Sequence, residues 1–209
     1  MSILDPLKRV QRLRRANQRR EHDAGQGRLP PGQVITHKFP VLSYGSTPRI
    51  DLQVWRLAVW GLVEEPREFT WEEFTQLPKQ RQVCDIHCVT RWSKLDTVWE
   101  GVPFREIAGL VKPKPEAKFV MEHAYGGYTT NMALEELLDD DVLLAFQYDD
   151  KPLEPDHGGP VRMLVPQLYF WKSAKWLRGL EFMAENKPGF WETYGYHMHG
   201  DPWIEERFS

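Results

Sequence analysis

Val83-Cys84-Asp85-Ile86-His87-Cys88-Val89-Thr90-Arg91-Trp92-Ser93 is an apolar run that holds both cysteines of the 209-residue chain and opens onto a polar turn. It reads as a strand, and a strand ending there sets Cys88 at its exposed edge. Two cysteines four residues apart build no disulfide framework, and a lone CxxxC pair lacks the second half of a zinc box. Free cysteines are most often small buried apolar residues. A thiolate at a strand end also suits a soft-metal centre or a nucleophile. If the segment stays extended, Cys84 and Cys88 point to the same side, which leaves open a metal-free thiol redox protein using both.

Upstream, Ile50 to Val63 is rich in Val, Leu and Trp and reads as a strand ending at Gly61. Thr70-Trp71-Glu72-Glu73 is a capping box for a short helix with Trp71, Phe74 and Leu77 on its apolar face, ended by Pro78. Downstream, Trp99-Glu100-Gly101-Val102-Pro103 reads as a turn. Pro103 then opens a helix that buries Phe104, Ile107 and Leu110. Ala117 to Ala124 alternates as a strand and leads into the glycine-containing loop Tyr125 to Thr130, whose side chains can face a ligand. A short helix over Ala133 to Leu138, a strand over Val142 to Tyr148 and a turn at Asp149-Asp150-Lys151 follow. Short helices, many strands, nine tryptophans and sixteen prolines predict a mixed, strand-rich α+β fold with long loops. Residues 1–33 read as a basic arm and linker, and 34–209 as one domain ending in an aromatic tail.

The net charge of −3 is uneven, because residues 1–20 carry seven Lys/Arg against Asp5 alone. Leu7, Val10 and Leu13 make one narrow apolar face of a helix in that arm. The remaining body is acidic and a poor general binder of nucleic acid. No run approaches the ~18–20 apolar residues of a membrane span, and no apolar region follows the Arg14-Arg15 or Arg19-Arg20 pairs. A cytoplasmic protein with reduced cysteines is the expectation.

The second informative stretch is Leu153-Glu154-Pro155-Asp156-His157-Gly158-Gly159-Pro160-Val161-Arg162-Met163-Leu164-Val165-Pro166. Its glycines let backbone approach a ligand closely. Arg162, opening a strand, has the planar fork that grips a phosphate, or else pairs with Asp156. Lys172 and Lys175 add charge to the same anion site if the chain folds back. The tail Gly189 to Trp203 contains His197-Met198-His199, but further ligands for zinc or haem are missing from its neighbourhood. It reads as a structural segment laid over the domain and roofing a cavity. There is no P-loop and no GxGxxG fingerprint.

Cys88 with the residues after it, Leu143 to Arg162 with its HGxPxR pattern, and Lys175-Trp176-Leu177 occur in an order that resembles the molybdopterin-dependent oxidoreductases of the sulfite oxidase fold. The resemblance spans roughly residues 50–183 and lies nearest the sulfite oxidase-like bacterial members, close to methionine sulfoxide reductase catalytic subunits. It implies a molybdenum atom held by one molybdopterin and by the thiolate of Cys88. It implies pterin and phosphate contacts from His157, Arg162, Ser173 and Lys175, a pterin-facing His123, and an active-site tyrosine at Tyr128. True sulfite oxidases follow the ligand cysteine with paired arginines, whereas here only Arg91 is basic, leaving it to bind a small oxyanion or an acidic neighbour. The family implies oxygen-atom transfer on a small sulfur- or nitrogen-containing substrate, with electrons exchanged with a separate carrier. A non-catalytic pterin carrier is the other reading.

Overall fold

Strand-forming segments with one buried face dominate the chain, and they pair into two sheets in the computed structural model, which describes residues 27–209. The basic helix expected in the arm lies outside the described residues. The first sheet contains β1 (Val34–Ile35), β4 (Gln80–His87), β5 (Trp92–Pro103), β8 (Leu143–Tyr148), β9 (Lys151–Pro152) and β10 (Arg162–Leu164). Its order is β1-β5-β8-β10, with β4 on β5 and β9 on β8. The second contains β2 (Arg56–Gly61), β3 (Arg67–Thr70), β6 (Phe119–Ala124), β7 (Thr129–Ala133) and β11 (Leu177–Met183), ordered β3-β2-β11-β6-β7. The β1–β5 and β2–β11 pairs are parallel and the others antiparallel, so both sheets are mixed. Among the described residues four short helices join them: α1 (Trp71–Gln76), α2 (Phe104–Val111), α3 (Leu134–Leu137) and α4 (Phe190–Thr193). This is the strand-rich α+β architecture expected. No helix of the described residues is long and apolar enough to cross a membrane.

Local signals decide some elements and tertiary contacts decide others. Thr70 caps α1 as expected, its Oγ1 accepting from Glu73 N at 3.2 Å while Thr70 N donates to Glu73 Oε2 at 2.9 Å. The strand read from Ile50 forms only from Arg56. Before it, Asp51 takes the Gln53 N–H on its carboxylate and the Trp55 N–H on its carbonyl, which turns the chain. Trp99 to Pro103 is not a turn but the end of β5. Gly101 stands there because a Cβ would lie 2.4 Å from Leu144 O on β8, where the ladder shifts register. Pro103 caps α2 rather than opening it, and Leu110 is only half-buried, while Phe104, Ile107, Ala108 and Val111 are buried.

The main core packs α1 and α2 with residues of both sheets, including Trp55, Phe74, Phe104, Leu144, Val161 and Leu180. A smaller core of Ile86, Trp99, Leu143, Ala145, Leu153 and Leu164 lies against the first sheet. It holds the end of β4 in place. That end carries the chemistry.

Candidate active site

Cys88 lies one residue beyond the last β4–β5 ladder pair, His87–Ser93. The chain turns back on itself there, with Arg91 N donating to Cys88 O at 3.0 Å and Cys88 N to Trp92 O at 2.8 Å. Two side chains distant in sequence hold the carbonyls of this turn: Gln33 Nε2 donates to Cys88 O at 3.0 Å, and Arg207 Nη1 to Val89 O at 2.5 Å. Cys88 Sγ lies 3.1 Å from Thr90 Oγ1. Cys88 is only 7% exposed, so it sits not at an open edge but on the wall of a cavity of about 350 Å³. Burial pushes its thiol up, opposed by the Thr90 hydroxyl. A thiolate in such a place needs a cation, and a soft metal is the partner sulfur prefers.

Cys84 does not line this cavity. It packs against the smaller core beside Ile86, with Sγ 3.6 Å from Thr97 Oγ1, and burial raises its thiol strongly. Both cysteines are free.

A second wall comes from Arg162 at the start of β10 and from Ser173, Lys175 and Trp176, against which the loop before β10 packs. His157 ends a 3-10 turn, Pro155–His157, and Gly158 follows at φ +107 with its carbonyl accepting from Trp176 N at 3.0 Å. A Cβ on Gly158 would press on Lys175 at 3.0 Å, and one on Gly159 would meet Leu153 O at 2.1 Å. These glycines are required by close approach, which brings Arg162, Ser173 and Lys175 to the cavity together.

Arg162 is 1% exposed, and no carboxylate among the described residues lies within ion-pair distance of it. Its Nη1 donates to His157 O and its Nη2 to Ser173 O, each at 2.8 Å, and its guanidinium lies 4.0 Å from the Phe170 ring centroid. Burial pulls its pKa down to about 9, which still leaves it charged at neutral pH. The alternative pairing with Asp156 is absent, since Asp156 Oδ1 accepts from Thr47. Lys175 Nζ donates to Ser43 Oγ at 2.8 Å and Asp156 O at 2.6 Å, and burial, then Arg162, lowers its pKa to about 8. Two cations held only by neutral oxygens form a site short of an anion. Ser173 shapes this site through its backbone, while its hydroxyl accepts from Val165 N.

His157 stands beside these cations. Its ring stacks on Phe39 with centroids 3.9 Å apart, and its buried Nδ1 has no partner. Burial and the charges of Arg162 and Lys175 hold it below the usual imidazole range, and it is stacked on the cavity-lining Phe39 rather than lining the cavity itself.

Tyr128 also lines the cavity, with its Oη donating to Trp171 O at 2.6 Å. Three other expected residues are elsewhere. His123 belongs to β6 of the second sheet, where alternation turns Glu122 inward and His123 outward, to Glu181 Oε2 at 3.0 Å and the Trp60 ring. Arg91 is exposed, at φ +74, and lies outside the cavity, although its neighbour Trp92 lines it. Lys172 does not join the anion site, because its Nζ is buried against Glu192 Oε1 at 2.7 Å, with further bonds to Asn131 and Met198.

The rest of the cavity was not singled out by residue from sequence. Phe39, Ser43 and Tyr44 come from an irregular segment without periodicity, while Trp191 and Tyr196 come from the tail that was expected to roof it. Arg207, near the C-terminus, had no local signal at all.

A buried thiol facing an unneutralised Arg–Lys pair across an aromatic cavity, with an unpaired imidazole nitrogen beside it, fits a ligand with a soft metal at one end and a phosphate at the other. That is the donor set of a molybdopterin enzyme. The chain belongs to the family described as the oxidoreductase molybdopterin binding domain, whose model matches residues 44–191. It is 50% identical over 184 residues to the uncharacterized oxidoreductase YuiH of Bacillus subtilis, covering 88% of this chain and 93% of that protein. It is 27% identical over 167 residues to the protein-methionine-sulfoxide reductase catalytic subunit MsrP of Campylobacter jejuni, 72% of this chain and 56% of that one. Its fold is similar to that of the sulfane dehydrogenase SoxCD from Paracoccus pantotrophus, with a TM-score of 0.61 and 24% identity over 66% of this chain and 40% of that chain. The protein is a molybdopterin-dependent oxidoreductase of the sulfite oxidase family.

Proposed function

We propose that the protein reduces a small, uncharged S-oxide or N-oxide, with electrons arriving from a separate carrier. For a sulfoxide the balance is R2S=O + 2 H⁺ + 2 e⁻ → R2S + H2O. The observation that carries this reading is the distribution of charge in the cavity. Among the described residues its only charged lining side chains are Arg162 and Lys175, which suit the cofactor's phosphate, whereas Val89, Thr90, Trp92, Trp171, Trp191 and Tyr196 are neutral. Arg91, the basic residue nearest Cys88 in sequence, lies outside. An inorganic oxyanion entering such a cage would lose its hydration without gaining a cation. The likeness to the protein-methionine-sulfoxide reductase catalytic subunit of Campylobacter jejuni supports the same direction.

Bound in this cavity, molybdenum–molybdopterin supplies two-electron oxygen-atom transfer. In this reading Cys88 holds the metal, Arg162 and Lys175 grip the phosphate, and the unpaired His157 Nδ1 bonds the pterin. Gln33 and Arg207 fix the Cys88 turn, keeping the sulfur in one orientation. Trp92, Trp171 and Trp191 exclude water and favour a substrate with apolar substituents. Cofactor-loaded protein, with a reduced viologen dye as electron donor, should reduce dimethyl sulfoxide, methionine sulfoxide or trimethylamine N-oxide with kcat/KM about 10²-fold above that for nitrate, a difference of about 2.7 kcal/mol. Faster turnover of nitrate, or of sulfite with an oxidised acceptor, would overturn the proposal.

A further inference from the structure

A second cavity, of about 820 Å³, shares no lining residue with the first. The loop before β10 stands between them. Pro155, Gly159 and Pro160 of that loop line the second cavity, while Pro155 O and Gly158 O accept from Nε1 and N of Trp176, which lines the first. The volume is that of a pocket for a small organic ligand.

Local chemistry keeps this space open. The chain from Thr47 to Leu52 does not extend β2, because Asp51 turns it, and Thr47 Oγ1 ties it to Asp156 Oδ1 of the loop at 2.6 Å. Trp71 of α1 and Phe146 of β8 add two rings set edge to face, with centroids 6.5 Å apart. Ile50 and Trp71 are partly buried against the main core, and Leu52 is 40% exposed at the rim. Such a surface gains most by covering itself with another flat apolar group.

The charge of the cavity is one-sided. Arg49 and Lys79 line it, and among the described residues no carboxylate does. Neither cation makes an ion pair with a described carboxylate. Lys79 Nζ instead lies 5.5 Å from the Phe146 ring centroid. On an otherwise acidic body, two cations without an acid at an aromatic pocket complement an anion.

We propose that this cavity binds a small free molecule made of a flat aromatic ring and a carboxylate or phosphate, the ring against Trp71 and Phe146 and the anion between Arg49 and Lys79. The guanidinium fork matches either anion, and the ammonium adds a point charge. Both cations are exposed, so salt screens the attraction. The assignment does not depend on which substrate turns over at Cys88, because the two cavities have no lining residue in common.

The probe is 2-naphthoate, with 2-naphthylmethanol as its neutral counterpart, each titrated calorimetrically into cofactor-loaded protein so that Arg162 and Lys175 are already engaged. Naphthoate should saturate a single site, bind about tenfold tighter than the alcohol, and weaken as salt rises. Arg49→Gln combined with Lys79→Gln should remove that tenfold preference and leave the affinity of the alcohol unchanged. Leu52→Glu, which sets a carboxylate at the rim, should weaken naphthoate to a similar extent. All three positions are exposed and outside the Cys88 cavity, so viologen-driven turnover should stay at the wild-type value. Failure of naphthoate to bind, equal affinity for naphthoate and the alcohol, or naphthoate binding unchanged in these variants would each overturn the proposal, and would leave the Cys88 site as described.

Discussion

Lys172 and Lys175 stand three residues apart, and their removal should have opposite consequences. Lys172→Met takes away an ammonium bonded to Glu192 Oε1 at 2.7 Å, to Asn131 O and Oδ1 at 3.0 Å and to Met198 O at 2.7 Å. It leaves the Glu192 carboxylate, whose side chain is fully buried and whose Oε2 already lacks a partner, without its cation. Breaking a buried pair from one side costs about 3–5 kcal/mol. At about 2–4 °C per kcal/mol for a chain of this size, Tm should fall by about 6–20 °C. Adding Glu192→Gln removes the stranded charge and should recover more than half of the loss. Lys175→Met, by contrast, should leave Tm nearly unchanged and lower molybdopterin content, because it removes a cation from the cavity rather than from a buried pair. The assay is thermal unfolding of cofactor-free protein, which keeps ligand linkage out of the comparison, with pterin content measured on loaded protein. A Lys172→Met protein with unchanged Tm and lost pterin would refute the reasoning. So would a double variant as unstable as the single.

Other outcomes follow from particular contacts. Gly101→Ala should destabilise the fold by about 1–3 kcal/mol in urea unfolding, because its Cβ would meet rigid backbone of β8 rather than a side chain that can move. The tail should loosen in alkali. Glu136, against burial and with Glu206 assisting, raises the His199 pKa to about 9, so the charged latch contributes stability below the ordinary imidazole value near 6.5 and loses it as pH rises through about 9. Amide exchange over residues 195–209, corrected for intrinsic rate, should accelerate across that range, and His199→Gln should abolish the step. Removing Arg162 as Met should release the cofactor without unfolding the chain, since no carboxylate is left stranded; circular dichroism with pterin fluorescence reads both.

Much of this was legible in sequence where the signal was local or the chemistry demanding. The Thr70–Glu73 box capped α1 because every partner lies within four residues. The Gly158-Gly159 loop announced a close approach, and Arg162, Ser173 and Lys175 do converge beyond it. Trp99 to Pro103 misled because glycine and proline usually mark turns, whereas here the demand for glycine comes from Leu144 on another strand. His123 points away from the buried side on which Glu122 lies, a parity fixed by pairing with β7 and β11 rather than by composition, and β6 contributes no residue to the cavity. Arg91 misses it because the positive φ of a tight turn places the residue outward while Trp92 lines the cavity. The N-terminal side of the cavity and the Arg207 contact arise from segments more than a hundred residues apart in places, with no periodicity to announce them.

The central claim is that Cys88 supplies a sulfur ligand to molybdenum in this cavity. X-ray absorption at the molybdenum edge, on loaded wild type and on Cys88→Ser, tests it most directly. The account predicts that the serine variant retains its pterin and loses one sulfur scatterer from the metal. An unchanged sulfur count in Cys88→Ser would contradict it.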